Sequence, residues 1–337
     1  MQILDYEVGM KKYDVSIIVP IYNVENFIEK CATSLMKQDY ESIEFIFVND
    51  CTLDKSMEVL SQTLNKYPNR KDDIKIINKP QNEGLPQARK TGFENSNGEF
   101  VLHIDSDDWI EPNMVSKMYQ KANDNNADIV CCDYFLNYHN KQVYRSHNYI
   151  GANFSDFKRN DYIKSILAMY VSVALWDKLI ARKLYKDVIF PTSSHGEDTI
   201  LCLQLFLNAN KILHLNEAFV HYNRTNSNSL STRNFSKQEI ESFKLFSSFI
   251  TNFIYKNNLS DCIKYQYIGF LNIFIPNNTS NTKLYIKEIL PQSYKVKYVW
   301  MNKKNSFVRK ILYSLVFIRL DFLIAFSKKF YRYIKNL

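Results

Sequence analysis

Glycine is scarce in this chain, seven residues in 337, where an average protein carries about 7%. Each is therefore expected to meet a backbone need, and Gly84, Gly92, Gly98 and Gly196 all stand beside polar motifs. The six cysteines, Cys31, Cys51, Cys131, Cys132, Cys202 and Cys262, lack C-x-x-C spacing. That argues against a zinc site and a disulfide scaffold and points to reduced thiols. There is no internal repeat, low-complexity tract or Pro/Gly-rich linker. Without G-x-G-x-x-G after the first strand or G-x-x-x-x-G-K-[ST] anywhere, a nicotinamide or flavin Rossmann site and a P-loop NTPase are excluded. G-x-S-x-G is missing too. The start, "MQILDYEVGMKKYD", has acidic residues and no apolar h-region. It predicts neither signal peptide nor membrane anchor there, and a cytoplasmic protein.

Charge is abundant but unevenly placed. The net charge is +8, yet Met301–Leu337 alone holds nine bases against one acid, Asp321. The rest of the chain is close to neutral, so a general nucleic-acid-binding role loses its support.

What is present is an alternation of apolar strands and amphipathic helices. "VSIIVPIYN" (15–23) reads as a strand and is followed by a helix carrying Phe27, Ile28, Cys31, Leu35 and Met36 at helical spacing. "IEFIFVN" (43–49) precedes a helix from about Asp54 to Lys66, and "IKIIN" (74–78) precedes one opened by Pro86. "GEFVLHI" (98–104) precedes a helix opening near Pro112. Uniformly apolar strands of this kind predict a mostly parallel sheet covered on both faces. Ligands bind such sheets beyond the carboxyl ends of the strands, which puts Tyr22, Asp50, Asn82 and Asp105–Asp108 on one rim. Farther on, "ADIVCCDYFLNY" reads as a longer strand, "SVALWDKLIARKLY" as mixed, "EDTILCLQLFLNANKI" as a helix, and 235–257 and 284–337 as mainly helical. The expected organisation is one α/β domain over 1–230 with a helical region over 231–337.

Three carboxylates end "FVLHIDSDDW": Asp105, Asp107 and Asp108. Strand-end carboxylates serve as helix N-caps, as a hard-cation site or in acid–base chemistry, and three are too many for capping alone. An Asp-x-Asp pair in extended backbone sends both side chains to one side, where a divalent cation can bridge to substrate phosphates. Asp50, in "VNDCTLD", reads either as a turn residue or as an acceptor for a nucleobase or ribose. Arg89, in "NEGLPQARKTG", is either solvated or faces an anionic ligand group at the rim. Glu197 and Asp198, in "SSHGEDTILCLQL", stand at a helix start after the rare Gly196 and read as first-turn helix-dipole partners.

Taken in order, "VSIIVPIYNVENFIEKCATSL", "FIFVNDCTLDKS", "NEGLPQARKTG", "GEFVLHIDSDDW" and "GEDTILCLQL" resemble glycosyltransferase family 2, in particular bacterial members that build surface polysaccharides. "WDKLIARKLY" and "HYNRTNSNSLS" extend the resemblance to about residues 13–230. It implies a GT-A fold, a nucleotide-sugar donor with UDP foremost, a glycan or polyprenyl-linked acceptor, Mn2+ or Mg2+, and inversion. Position by position it implies that Pro20 and Tyr22 line the base pocket, Asp50 binds the base and Arg89 approaches the nucleotide. Asp105 and Ser106 would lie at the ribose, Asp107 with Asp105 would ligate the cation, and Asp198 would be the general base, with Glu197 as the alternative. The second block departs from the family's usual D-G-S-T-D by placing Cys51 and Leu53 in it. A non-catalytic scaffold would be expected to have lost carboxylates, and a sugar-1-phosphate nucleotidyltransferase would need a glycine-rich loop where "PIYNVEN" stands.

Two further readings stay open. Trp176 is either a core residue or a stacking platform for an acceptor sugar. The apolar and basic segment 306–337 is interrupted by Arg319 and Asp321, too short and charged to span a membrane. It is expected to lie on a membrane surface as an amphipathic helix or to pack on protein.

Overall fold

Apolar, fully buried segments form the centre of the sheet. The computed structural model describes residues 12–150, 158–193, 195–226, 237–276 and 282–318. Its strands are β1 (Val15–Ile21), β2 (Ile43–Asn49), β3 (Ile74–Asn78), β4 (Phe100–His103), β5 (Trp109–Ile110), β6 (Ile129–Tyr138), β7 (Lys141–Arg145), β8 (Lys178–Ala181) and β9 (Ile212–Asn223). The helices are α1 (Ile28–Met36), α2 (Ser56–Leu64), α3 (Leu85–Glu94), α4 (Met114–Asn125), α5 (Arg159–Leu167), α6 (Glu197–Asn208), α7 (Lys237–Lys256), α8 (Ile263–Phe274), α9 (Thr282–Ile289), α10 (Val296–Met301) and α11 (Phe307–Ser314). Among the described residues the strands make one sheet in the order β3-β2-β1-β4-β8-β6-β9-β5, with β7 paired to β6.

Parallel pairing covers the β3-β2-β1-β4 half. Every residue of β1 is buried, as a central strand covered on both faces requires. The register brings strand ends level: Ile21 lies opposite Asn49, and Asn49 opposite Asn78. The loops that follow β1, β2 and β3 therefore open on one rim, and β4 delivers the Asp105 loop beside them. Beyond β4 both senses occur. β8 is antiparallel to β4 and β6, β5 is antiparallel to β9, and β6 runs parallel to β9. The fold class is thus the α/β one expected, with the β3-β2-β1-β4 half wholly parallel and the other half mixed.

The main core is the sheet with its flanking helices, and α7 adds Ile250, Phe253 and Ile254 to it. A second apolar cluster joins Ala168 and Tyr170 to α7 through Ile240 and Phe243, to α8, and onward to Val316. No described helix is long and apolar enough to cross a membrane. The segment expected to form the amphipathic tail is described only as far as Ile318.

Candidate active site

The rim loops enclose a cleft of about 1320 Å3. Pro20 and Tyr22 enter it from the end of β1, Asp50 from β2, Asn82 and Gly84 from the turn before α3, and Asp105, Ser106 and Asp107 from beyond β4. Glu197 and Asp198, at the start of α6, close it from across the sheet. Of the nine residues to which the resemblance gives a role at the site, eight therefore line one space. Arg89 is the ninth.

Asp50 is buried and braces two loops. Its carboxylate accepts the Glu83 and Gly84 backbone N–H groups at 3.1 and 2.8 Å and pairs with the Lys79 ammonium at 3.1 Å. It thus fixes the N-terminus of α3, where Gly84 takes φ +85°. Next to it, Cys51 holds φ +58°, the left-handed region that suits glycine. The family pattern has its glycine at this position, so the cysteine keeps the loop's shape at the expense of strain.

Arg89 is neither solvated nor among the residues that line the cleft. It is fully buried, and it turns inward because three carboxylates surround it. One guanidinium nitrogen donates to Glu197 and to Asp198 Oδ1 at 2.6 Å, and another donates to Asp105 Oδ1 at 2.6 Å. One cation therefore clamps the β4 loop to the start of α6. The Glu197 and Asp198 side chains differ sharply in exposure, 5% against 29%. Burial, reinforced by Asp198 and Asp105, pushes the Glu197 carboxyl well above the usual range despite Arg89. Of the pair, Asp198 is the one that solvent reaches.

The DSDD stretch divides its labour. Asp105 is committed to Arg89, and burial raises its pKa against the pull of the guanidinium. Asp107 points its carboxylate at the cleft and accepts the Asn226 side-chain amide at 2.8 Å. Burial and the neighbouring Asp105 raise its pKa. Asp108 is buried and accepts the Asn223 N–H at 2.7 Å, tying the turn to the end of β9. This tie, and not an N-cap, is its structural role. Carboxylates that raise one another in this way favour a cation beside them. Among the described residues no set of three or more His, Cys, Asp or Glu side chains forms a cage. A cation here would rest on Asp107 and Asp105 and complete its shell with phosphate oxygens, as magnesium commonly does.

At the far end of the cleft the sequence reading singles out Trp176 alone. That end is walled by Tyr134, Tyr149, Trp176 and Tyr222, with Phe243 from α7 and Ile273 from α8. Trp176 is both core and wall: nearly buried, it meets Tyr134 edge-on at 4.8 Å and tilts against Tyr222 at 5.5 Å. Behind it, the buried Lys178 ammonium donates to the carbonyls of Ser172 and Ala174 at 3.0 and 2.6 Å and to Asp177 at 2.5 Å. This lysine holds the 172–174 segment of the wall in place. The quoted WDKL and HYNRTN blocks carried a signal for Trp176, Lys178 and Tyr222, whereas neither periodicity nor spacing marks Tyr134, Tyr149, Phe243 and Ile273.

Comparison with known proteins follows this geometry. Residues 16–178 match the family described as Glycosyl transferase family 2. The chain is 31% identical over 224 residues to glycosyltransferase GlyA of Streptococcus pneumoniae, covering 64% of this chain and 31% of that protein. It is 30% identical over 213 residues to the putative glycosyltransferase EpsH of Bacillus subtilis, covering 62% of this chain and 60% of that one. The matched stretch thus spans less than two thirds of either relative. In fold, the chain is similar to TarS of S. aureus, solved in complex with UDP-GlcNAc, with a TM-score of 0.65 and 20% identity over 91% of this chain and 88% of that one. The architecture is therefore GT-A, and residues 16–178, just under half of the chain, form a glycosyl transferase family 2 domain.

Proposed function

We propose that the protein transfers a sugar from a uridine diphosphate sugar, with inversion, to a hydroxyl group of a glycan or polyprenyl-linked acceptor in bacterial surface-polysaccharide synthesis. The observation that carries this is the Arg89 clamp: one buried guanidinium sets the Asp-x-Asp loop and the Glu197–Asp198 pair against each other across a single cleft. The GT-A fold shared with TarS, whose structure holds UDP-GlcNAc, supports a uridine donor.

In this reading Pro20 and Tyr22 flank the base and Asp50 accepts from its edge. Asp105 and Ser106 lie at the ribose, while Asp107 with Asp105 would hold Mn2+ or Mg2+. When bound, the cation offsets the charge of the departing diphosphate. Asp198 takes the proton of the acceptor hydroxyl as its oxygen bonds to the anomeric carbon and the bond to the diphosphate breaks, so one displacement inverts the centre. Glu197, nearly buried and engaged by Arg89, suits that task less. It keeps Arg89 in place. The protein acts on the cytoplasmic side, where nucleotide sugars are supplied, with the 306–337 segment near the membrane surface.

Calorimetric titration of UDP, with and without Mn2+, tests the donor half. Micromolar binding that needs both the metal and Asp107, and so weakens at least about tenfold in Asp107→Ala, is expected. Asp198→Asn is expected to retain UDP binding within about threefold and to lose transfer by about a thousandfold or more. An Asp198→Asn protein that transfers normally would move the base elsewhere, and metal-independent UDP binding would remove the cation role.

A further inference from the structure

Exposed large apolar side chains gather on the last described helices. Phe307 is 68% and Val308 64% exposed, and Ile311, Trp300 and Met301 stand open beside them. Helix α11 buries none of its residues. On it, 307, 308 and 311 share one face. Trp300 of α10 adjoins that face, its ring 5.9 Å from Phe307 and its indole N–H donating to Ser314 at 3.1 Å. The two short helices thus form one apolar ledge.

The charge around the ledge has a single sign. From Leu290 to Ile318 the chain carries Lys295, Lys297, Lys303, Lys304, Arg309 and Lys310 and no acidic side chain. A second copy seated on the ledge would set these bases against their own kind. Residues 319–337 add five more bases against one acid, so the chain's own end carries the same sign. An apolar strip flanked by lysine and arginine is matched by the boundary of an anionic bilayer, with side chains in the acyl region and bases among the headgroups.

The ledge also borders the cleft. The Lys304 ammonium lies 4.0 Å from the centre of the Tyr149 ring and donates to the Met169 carbonyl at 3.3 Å, and both of those residues line the cleft. The neighbouring Lys303 N–H donates to the Tyr170 hydroxyl at 2.9 Å. We propose that the α10–α11 ledge seats the protein on an anionic lipid surface, so that the Tyr149 end of the cleft receives an acceptor anchored in that surface. This rests on the transferase reading and narrows its acceptor to a lipid-linked one.

Co-sedimentation of the full chain with phosphatidylcholine vesicles, with and without phosphatidylglycerol, tests the docking. Binding is expected only with phosphatidylglycerol, and it should fall as salt is raised. Combined Phe307→Ser, Val308→Ser and Ile311→Ser is expected to weaken it at least about tenfold. Combined Lys303→Glu, Arg309→Glu and Lys310→Glu is expected to weaken it about a hundredfold or more. UDP affinity should not change in either variant, which shows that both are folded. Four outcomes overturn the proposal: no vesicle binding, equal binding to neutral vesicles, variants that bind like the parent, or a dimer that the apolar variant dissolves. A parent protein that binds vesicles but not UDP instead overturns the transferase reading, and one that binds UDP but not vesicles leaves that reading intact.

Discussion

Arg89 and Cys51 show how far one side chain's role departs from its position in a motif. Helical spacing places Arg89 one turn inside α3 but does not say which way it faces. What settles the matter is the convergence of Asp105, Glu197 and Asp198 from two distant segments. Removing the guanidinium strands buried carboxyl groups, so Arg89→Met is expected to cost about 3–5 kcal/mol, read as a lowered denaturant midpoint. Arg89→Lys keeps the charge but cannot fork to two segments, and it is expected to fold while transferring poorly. Cys51 makes the opposite case. At φ +58° a side chain costs about 1–2 kcal/mol, and glycine's greater freedom in the unfolded chain returns part of that. Cys51→Gly should therefore stabilise by about 0.5–1 kcal/mol with UDP affinity unchanged, and a destabilised variant would show that the thiol makes a contact worth more than the strain.

β1, β2 and β4 were legible because burial on both faces demands unbroken apolar runs, whereas β3, which falls where 74–78 was read, is a partly exposed edge strand whose isoleucines alone marked it. β9 was not legible, because its first half is only partly buried and a register irregularity opposite Asp133 breaks its pairing with β6. Helix α8 was missed for a related reason. It carries apolar residues around most of its circumference and buries them in the second cluster, so no amphipathic stripe announces it. Its one glycine reveals its function in the fold. A Cβ at Gly269 would lie 1.9 Å from the Leu167 carbonyl oxygen, so α8 presses directly on the end of α5. Asn272, one turn on, donates to the Ala168 carbonyl at 3.0 Å, and the following Met169 reaches the cleft wall with φ +57°. Gly269→Ala must push the helices apart. The expected result is a loss of about 1–3 kcal/mol and a raised KM for the acceptor, with UDP affinity preserved. Weakened UDP binding would mean that the disturbance is not confined to the acceptor end.

The molecule as a whole joins a nearly neutral catalytic body to a basic edge, and its response to acid should come from the body. Behind the aromatic wall of the cleft, His147, Asp177 and Lys178 are completely buried together. His147 Nδ1 lies 3.0 Å from Asp177, its ring is 5.6 Å from that of His214, and Asp133 accepts both the His147 N–H and His214 Nε2 at 2.7 Å. Burial first, and then the Lys178 ammonium, press His147 from 6.5 down to about 4. Burial pushes Asp177 up, but Lys178 and His147 outweigh it and bring it down to about 2. Both groups are depressed in the folded state, so their contributions are complete above the unfolded values and are lost as pH falls through the folded ones. For His147 that window runs from about 6.5 to about 4, whereas Asp177 adds its loss only below about 4. Neutral His147 therefore contributes about 3 kcal/mol at pH 7 that is absent near pH 4. His103, buried against the Tyr185 hydroxyl, is depressed by burial and by Arg89 and sharpens the same decline. Thermal midpoints measured across this range should fall steeply for the parent and less steeply for His147→Asn, which has no proton to gain there. If the two profiles run parallel, the buried histidine His147 does not govern the acid response, and the decline belongs to His103, which is depressed in the same direction.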